Sequence, residues 1–191
     1  LAERLLAGPL PSSEVATLIR DLASILEHAH KRGVVHRALR PDRVVIARKR
    51  APSSSVAIPD WSEARVHDSS ATITFPARDA RPYLAPELSR GEPADDRADV
   101  FSLGVLAYHA LTGAFPRGTL DFAFIATSER CPDAPRELTS LIDQMLAVDR
   151  FDRPTAAEIR SDLDWLANAL SIELRIDDVA PSGVRIRKPR W

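Results

Sequence analysis

The feature that most constrains the fold is a stretch of sequence that is apolar on nearly every helical face. It covers residues 99–112 and is followed by Gly113 and Pro116, which favour the end of a helix. In a water-soluble domain, a helix without a polar face is buried among other elements. A chain of 191 residues, 45% of them hydrophobic, is long enough to build such a core. The pattern therefore predicts one mainly α domain with this helix at its centre.

The neighbours of that helix are predicted from three amphipathic segments. Apolar residues recur at helical spacing over 12–32, 138–146 and 159–170. Ser12 is expected to cap the first of these helices, and Gly33 is expected to end it in a left-handed conformation. Pro154 and Thr155 mark the start of the last one. These segments predict a helical layer around the central helix.

The remaining sequence predicts short strands, a long loop and a tail. The β-rich runs at 44–47 and 56–58 are separated by a turn-forming stretch, which predicts a hairpin. Residues 60–82 show no sustained period and predict a long surface segment, which usually has a function. Past residue 171 the sequence predicts an irregular tail.

Composition limits the expected partners and location. A net charge of -1 with interspersed signs gives no electrostatic footprint for nucleic acid. The single cysteine, Cys131, cannot form an internal disulfide, so we expect a reducing compartment and a cytoplasmic location. No apolar run reaches the ~18 to 20 residues that a membrane span needs. Membrane attachment is expected only if a span follows the basic C-terminal residues Arg185, Arg187, Lys188 and Arg190.

Five short motifs occur in an order that resembles a known family. The run H-R-A-L-R-P-D-R at 36–43 resembles the protein-kinase catalytic loop H-R-D-L-x-x-x-N. It is followed by D-W-S at 60–62, A-P-E at 85–87, D-V-F-S-L-G at 99–104 and R-P at 153–154. Over residues 1–170 the chain resembles the C-terminal lobe of a Hanks-type Ser/Thr protein kinase, with 171–191 as a linker or juxtamembrane tail. The resemblance implies a mainly α, protein-kinase-like C-lobe, a helical subdomain with a small β-hairpin.

The resemblance covers only one lobe of the kinase fold. None of the seven glycines forms a glycine-rich phosphate loop, and no lysine lies in a V-A-I-K context. The N-terminal lobe is therefore expected to be absent from this chain. ATP and Mg²⁺ are expected to bind only together with that missing lobe.

The resemblance also implies a degenerate catalytic loop. Ala38 stands where the family has the aspartate that accepts or orients the substrate hydroxyl, and a methyl group has no lone pair for that role. Arg43 stands at the position of the metal-binding asparagine, where a cation cannot coordinate Mg²⁺. Asp60 matches the Mg²⁺-binding aspartate of D-F-G. We predict a direct ion pair between Arg43 and Asp60.

Further site residues follow from the same resemblance. Arg40 occupies the position of a phosphate-contacting lysine, so Arg40 and Asp60 are the candidate cofactor-binding residues, and Asp60 is the candidate metal ligand. His36 is expected to be a packed structural residue. Arg37 matches the arginine that pairs with a phosphorylated activation segment, and Ala80 occupies a position of that segment that is often threonine. The candidate phosphate acceptors are Ser69, Ser70, Thr72 and Thr74.

Three residues match architectural positions of the family. Glu87 and Arg153 match an ion pair that ties the activation segment to the helical subdomain. Asp99 matches the aspartate that anchors the catalytic loop backbone from the buried helix. We expect these contacts to be present.

The predicted function is that of a pseudokinase, a regulatory or scaffolding module with a protein partner in signalling. The alternative is an atypical or weak Ser/Thr kinase, or a nucleotide-binding switch, in which Asp60, Arg40 and Asp42 take unusual roles. A third reading is a truncated gene product without an independent role. Phosphate transfer that is abolished by Asp60→Ala would favour the enzyme.

Overall fold

The computed structural model describes residues 1–47, 55–66, 78–116 and 124–179. These ranges hold the helices α1 (Ala2–Leu6), α2 (Ser12–His30), α3 (Pro86–Ser89), α4 (Asp96–Thr112), α5 (Thr127–Arg130), α6 (Arg136–Met145) and α7 (Ala156–Val179). They also hold the strands β1 (Val34–Val35), β2 (Val45–Ala47), β3 (Ser55–Ala57) and β4 (Arg65–Val66). Short 3₁₀ turns cover Pro41–Arg43, Arg78–Tyr83 and Arg150–Asp152. The predicted mainly α architecture is confirmed.

The centre of the fold is α4, as the sequence predicts. Residues 98–111 are all buried except His109. The helix begins earlier than predicted because the Asp95 carboxylate accepts a hydrogen bond from a backbone amide of the first turn. It ends where Gly113 takes a left-handed φ of 72°. Gly104 lets α6 approach closely, since a Cβ at this position would lie 2.9 Å from the Cβ of Met145.

Helix α2 packs beside α4 and matches the first predicted amphipathic segment. Its buried face consists of Val15, Leu18, Ile19, Leu22, Ala23 and Leu26. Gly33 follows it with a φ of 70°, as predicted. The predicted cap at Ser12 is wrong. The helix already includes Ser12, and the capping position falls on Pro11, whose side chain cannot accept a hydrogen bond.

Helix α7 packs against α2 and is longer than the sequence predicts. It begins with a capping box, in which the Glu158 carboxylate accepts a hydrogen bond from the Thr155 amide at 2.7 Å. The prediction of an irregular chain past residue 171 is wrong as far as Val179. The physical reason is that no glycine or proline interrupts the sequence of this helix. Residues 180–191 lie outside the described ranges.

Two small antiparallel pairs complete the described fold. Strands β2 and β3 pair with Ile46 opposite Val56, which confirms the predicted hairpin, although its connecting residues 48–54 lie outside the described ranges. Strands β1 and β4 pair with Val34 opposite Val66, which the sequence analysis did not predict. This second pair joins the chain just before residue 36 to the start of the long segment 60–82. Among the described residues, no helix is both long and apolar enough to cross a membrane.

Candidate functional site

The backbone of the loop at residues 36–43 is anchored by Asp99 on the buried helix α4. The Asp99 carboxylate is fully buried and accepts hydrogen bonds from the backbone amides of His36, at 2.8 Å, and Arg37, at 2.7 Å. The predicted anchoring contact is therefore present. Arg37 takes a positive φ of 68°, a conformation that a side chain disfavours. The two hydrogen bonds hold the backbone in this turn.

His30 is a third partner of Asp99 that was not predicted from the sequence. Its Nε2 lies 2.9 Å from Asp99 Oδ2, and its side chain is almost fully buried. The two residues are 69 positions apart in the chain, so no local spacing links them. His30 could have been predicted from its position in the last turn of α2, six residues before the loop begins. The anchor is thus a cluster of one carboxylate with three donors.

His36 is a packed structural residue, in agreement with the expectation. Its ring is buried and its Nε2 donates to the backbone carbonyl of Asp60 at 2.8 Å. Its Nδ1 then accepts from the Ala38 amide at 3.2 Å, which fixes one tautomer. The ring also meets Trp61 edge to face, with the centroids 4.7 Å apart. His36 therefore joins the loop to the start of the 60–82 segment.

Arg43 makes the predicted ion pair with Asp60 and a second one that was not predicted. Its Nη1 lies 3.2 Å from Asp60 Oδ2, and its Nη2 donates to Glu63 Oε1 at 2.6 Å. The Arg43 side chain is 11% exposed, whereas both carboxylates are nearly half exposed. Its Nε and Nη1 are buried without a hydrogen-bond acceptor. The contact with Asp60 is therefore Coulombic, without the directed geometry of a hydrogen bond.

Asp60 is held as a carboxylate by its neighbours. The Ser62 amide donates to Asp60 Oδ1 at 3.0 Å. This hydrogen bond is the main cause that lowers the pKa of Asp60 below its ordinary value, and the charge of Arg43 acts in the same direction. Asp60 is therefore ionised at neutral pH with an arginine as its counter-ion.

The donor set around Asp60 does not fit Mg²⁺. This ion needs near-octahedral oxygen ligands, and Arg43 stands beside the carboxylate with donors and no lone pair. Within the described ranges, no group of three or more His, Cys, Asp and Glu side chains could hold a metal ion. The arrangement suits a fixed ion pair better than a metal centre.

Arg40 and Asp42 are turned toward each other. Arg40 Nε lies 2.8 Å from Asp42 Oδ1, and the Asp42 side chain is more than half exposed. The candidate phosphate-contacting residue thus already has a carboxylate partner two positions away. The structure does not bring Arg40 into a described contact with Asp60. Ala38, two positions before Arg40 in the sequence, has no polar side-chain atom.

Glu87 and Arg153 form the predicted ion pair in a buried position. Arg153 donates from Nη1 and Nη2 to the two Glu87 oxygens at 2.7 and 2.8 Å. Burial acts to raise the pKa of Glu87, but the hydrogen bonds and charge of Arg153 outweigh it and hold that pKa below its ordinary value. The pair ties the A-P-E turn to the segment between α6 and α7.

The activation-segment candidates fall largely outside the described part of the chain. Ser69, Ser70, Thr72 and Thr74 lie between the described ranges 55–66 and 78–116. Ala80 lies in the 3₁₀ turn Arg78–Tyr83, of which the backbone is described. The roles of these residues stay predictions.

Comparison with known proteins agrees with this geometry. The family model described as "Protein kinase domain" matches residues 1–165. Serine/threonine-protein kinase PknB of Mycobacterium leprae is 31% identical over 82% of this chain and 26% of its own length. Serine/threonine-protein kinase PknL of Mycobacterium tuberculosis is 32% identical over 96% of this chain and 46% of its own length. The chain therefore spans less than half of either relative. It belongs to the protein kinase domain family, and its relatives are serine/threonine kinases of the Hanks type.

Proposed function

We propose that this chain is the C-terminal lobe of a kinase-like domain that acts as a regulatory or scaffolding module for a protein partner in signalling. The observation that carries the proposal is the ion pair of Arg43 with Asp60. These side chains occupy the two positions that hold Mg²⁺ in active kinases. Here they bind each other. The lobe is proposed to span residues 1–170, with 171–191 as a linker or tail.

The chemistry of the loop supports slow or absent phosphoryl transfer. Ala38 offers no oxygen that could accept a proton or orient an alcohol, and a general base contributes about 10² to 10⁴ in rate. Arg43 cannot replace a neutral oxygen ligand of the metal. The two losses act on the same step, because the metal ions and the base together position the phosphate and the attacking oxygen.

The binding surface is proposed to lie on the helical lobe and the activation segment. Phosphorylation at Ser69, Ser70, Thr72 or Thr74, read by Arg37, is a proposed way to alter that surface. The cytoplasmic location remains a prediction. The partner is proposed to be a protein, because the charge pattern gives no footprint for nucleic acid.

A weak kinase, or a nucleotide-binding switch, is the second candidate function. It is supported by the exposure of Asp60, whose side chain is 45% accessible and lies within reach of a ligand that competes with Arg43. The relatives PknB and PknL are serine/threonine-protein kinases, which favours the same function.

The test is made on the full-length protein with radiolabelled ATP and with thermal shift. We expect no Mg²⁺-dependent rise in Tm with ATP and no phosphate incorporation above that of Asp60→Ala. Incorporation at an ordinary kinase turnover that Asp60→Ala abolishes would overturn the proposal and establish the second candidate.

The matched variant restores the family residues. Ala38→Asp combined with Arg43→Asn supplies a carboxylate and a neutral metal ligand at the two altered positions. We expect this double variant to gain a Mg²⁺-dependent stabilisation by ATP that the unmodified protein lacks. An identical response of the two proteins would show that these residues are not the cause of the difference from active kinases.

A further inference from the structure

We propose that Arg43 is a resident cation that clamps residues 60–66, here called the clamped segment, onto the loop at residues 36–43. The consequence is regulatory, because the segment then keeps one conformation whether or not a metal ion or nucleotide is bound. The inference rests on the proposed function for the identity of the site. It adds how the conformation of that site is controlled.

The start of the clamped segment is fixed by directed contacts. The carbonyl of Asp60 accepts a hydrogen bond from His36 at 2.8 Å. Trp61 packs its ring against His36, and its indole Nε1 donates back to the Ile58 carbonyl at 2.6 Å. The Ser62 amide donates to the Asp60 carboxylate at 3.0 Å. Backbone and side chain therefore hold the same three residues.

The end of the segment is fixed as well. The Ala64 amide donates to the Trp61 carbonyl at 3.0 Å, which closes a turn. Strand β4 then pairs with β1, so that Arg65 stands opposite Val35. Because β1 precedes residue 36, both ends of the segment are attached to the neighbourhood of the same loop. Within the clamped segment, the carboxylates of Asp60 and Glu63 contact a charged side chain of that loop.

Arg43 is that partner and bridges both carboxylates. Its two terminal nitrogens lie on one planar guanidinium, at 3.2 Å from Asp60 and 2.6 Å from Glu63. The two carboxylates must therefore lie within a few ångströms of each other, where like charges repel. Without a cation between them, the segment has to move or recruit another cation. A single side chain thus supplies the charge that a metal ion supplies elsewhere in the family.

The burial of Arg43 separates this clamp from an ordinary surface ion pair. The side chain is 11% exposed, and Nε and Nη1 are buried without hydrogen-bond acceptors. Buried donors without acceptors cost free energy. The guanidinium stays in place because the attraction of two carboxylates offsets that cost. A lysine has one compact ammonium and cannot offer the same two-point fork. The clamp therefore depends on both the charge and the shape of an arginine at position 43.

Amide hydrogen exchange on the full-length protein tests the clamp. The amides of Ser62 and Ala64 are the reporters, because both donate within the clamped segment. We expect Arg43→Gln to speed their exchange by about threefold to fivefold. We expect millimolar Mg²⁺ to slow it again in this variant, because the freed Asp60 and Glu63 attract a cation. In the unmodified protein, Mg²⁺ with or without ATP should leave the exchange unchanged.

Arg150 offers a matched control. It also bridges two carboxylates, those of Glu92 and Asp95, at 3.3 and 3.4 Å, and neither of them belongs to the clamped segment. Arg150→Gln should leave the exchange of the clamped segment unchanged. If Arg43→Gln prevents folding, Glu63→Gln removes one exposed carboxylate and should give a smaller rise in exchange at Ser62 and Ala64.

Two results would overturn the clamp. One is unchanged exchange in Arg43→Gln, or in Glu63→Gln if the first variant does not fold. The other is strong protection of the segment in the unmodified protein when Mg²⁺ and ATP are added. Neither result depends on the phosphate-transfer assay. A protein that shows no transfer and no clamp would keep the proposed function and lose this inference alone.

Discussion

Arg153 in the helical part of the fold and Arg43 in the loop at residues 36–43 differ in how many of their guanidinium donors are hydrogen-bonded. Arg153 is fully buried, and all five donors of its guanidinium are used, two on Glu87 and three on the carbonyls of Ala147, Arg97 and Val148. Arg43 makes one hydrogen bond, to Glu63, and leaves Nε and Nη1 without acceptors.

The contacts that build this fold are therefore separate from those of the candidate site. Glu87, Arg153 and Asp99, which join separate elements, all have hydrogen-bonded partners. In the loop at residues 36–43, position 38 is an alanine and position 43 an arginine, and the backbone turn is held by Asp99. The turn therefore forms without an aspartate at position 38.

Substitution of Arg153 should cost the most stability. Arg153→Met leaves Glu87 as a buried charge without a partner, so we expect the free energy of unfolding to fall by about 3 to 5 kcal/mol. Urea unfolding of the full-length protein, followed by circular dichroism, measures this loss. A double variant, Glu87→Leu with Arg153→Met, removes both charges and should lose less than the single variant. A loss below about 1 kcal/mol for Arg153→Met would contradict the assignment of Arg153 as an architectural residue.

A smaller effect is expected from pH, and it tests the same pair. The pKa of Glu87 in the folded state lies below its ordinary value of 4.5. As the pH falls below about 4.5, the unfolded chain therefore takes up a proton before the folded one, and stability decreases until the folded pKa is passed. The slope for this one group is at most about 1.4 kcal/mol per pH unit.

The measurement compares unfolding free energies between pH 7 and pH 3 for the unmodified protein and for the Glu87→Leu, Arg153→Met double variant. We expect the stability advantage of the unmodified protein to be constant above the ordinary pKa of Glu87 and to shrink below it. Parallel curves over the whole range would mean that Glu87 does not contribute to the acid sensitivity.

Much of the fold could be predicted from the sequence because its elements are long and periodic. The core helix and the amphipathic helices repeat apolar residues over several turns, and Gly33 and Gly113 mark two helix ends with positive φ. The pairing of β1 with β4 could not be predicted, because a strand of two residues has no measurable period. The extension of α7 to Val179 was missed because apolar spacing weakens before the helix ends.

Only those contacts of the site whose residues belong to a recognised motif could be predicted. The motifs predicted the contact of Arg43 with Asp60, which the structure shows, whereas the role of Ala38 stays a prediction. Glu63 and His30 were missed because their partners lie 20 and 69 positions away in the chain. Which carboxylate meets Arg43 depends on how the clamped segment folds back, and that is decided by β1, β4 and His36 rather than by local sequence.

The same substitution at Arg43, in the loop at residues 36–43, should cost the least stability. Arg43→Met removes an ion pair whose carboxylates are nearly half exposed, so water and salt already screen much of its attraction. It also removes two buried donors that lack acceptors, which offsets part of the loss. We therefore expect the free energy of unfolding to change by less than about 1 kcal/mol, measured in the same urea experiment. Because Asp99 still holds the loop backbone, the global stability should hardly register a change that amide exchange detects within residues 60–66. A loss as large as that of Arg153→Met would mean that Arg43 supports the whole lobe, and the separation of architecture from chemistry would fail.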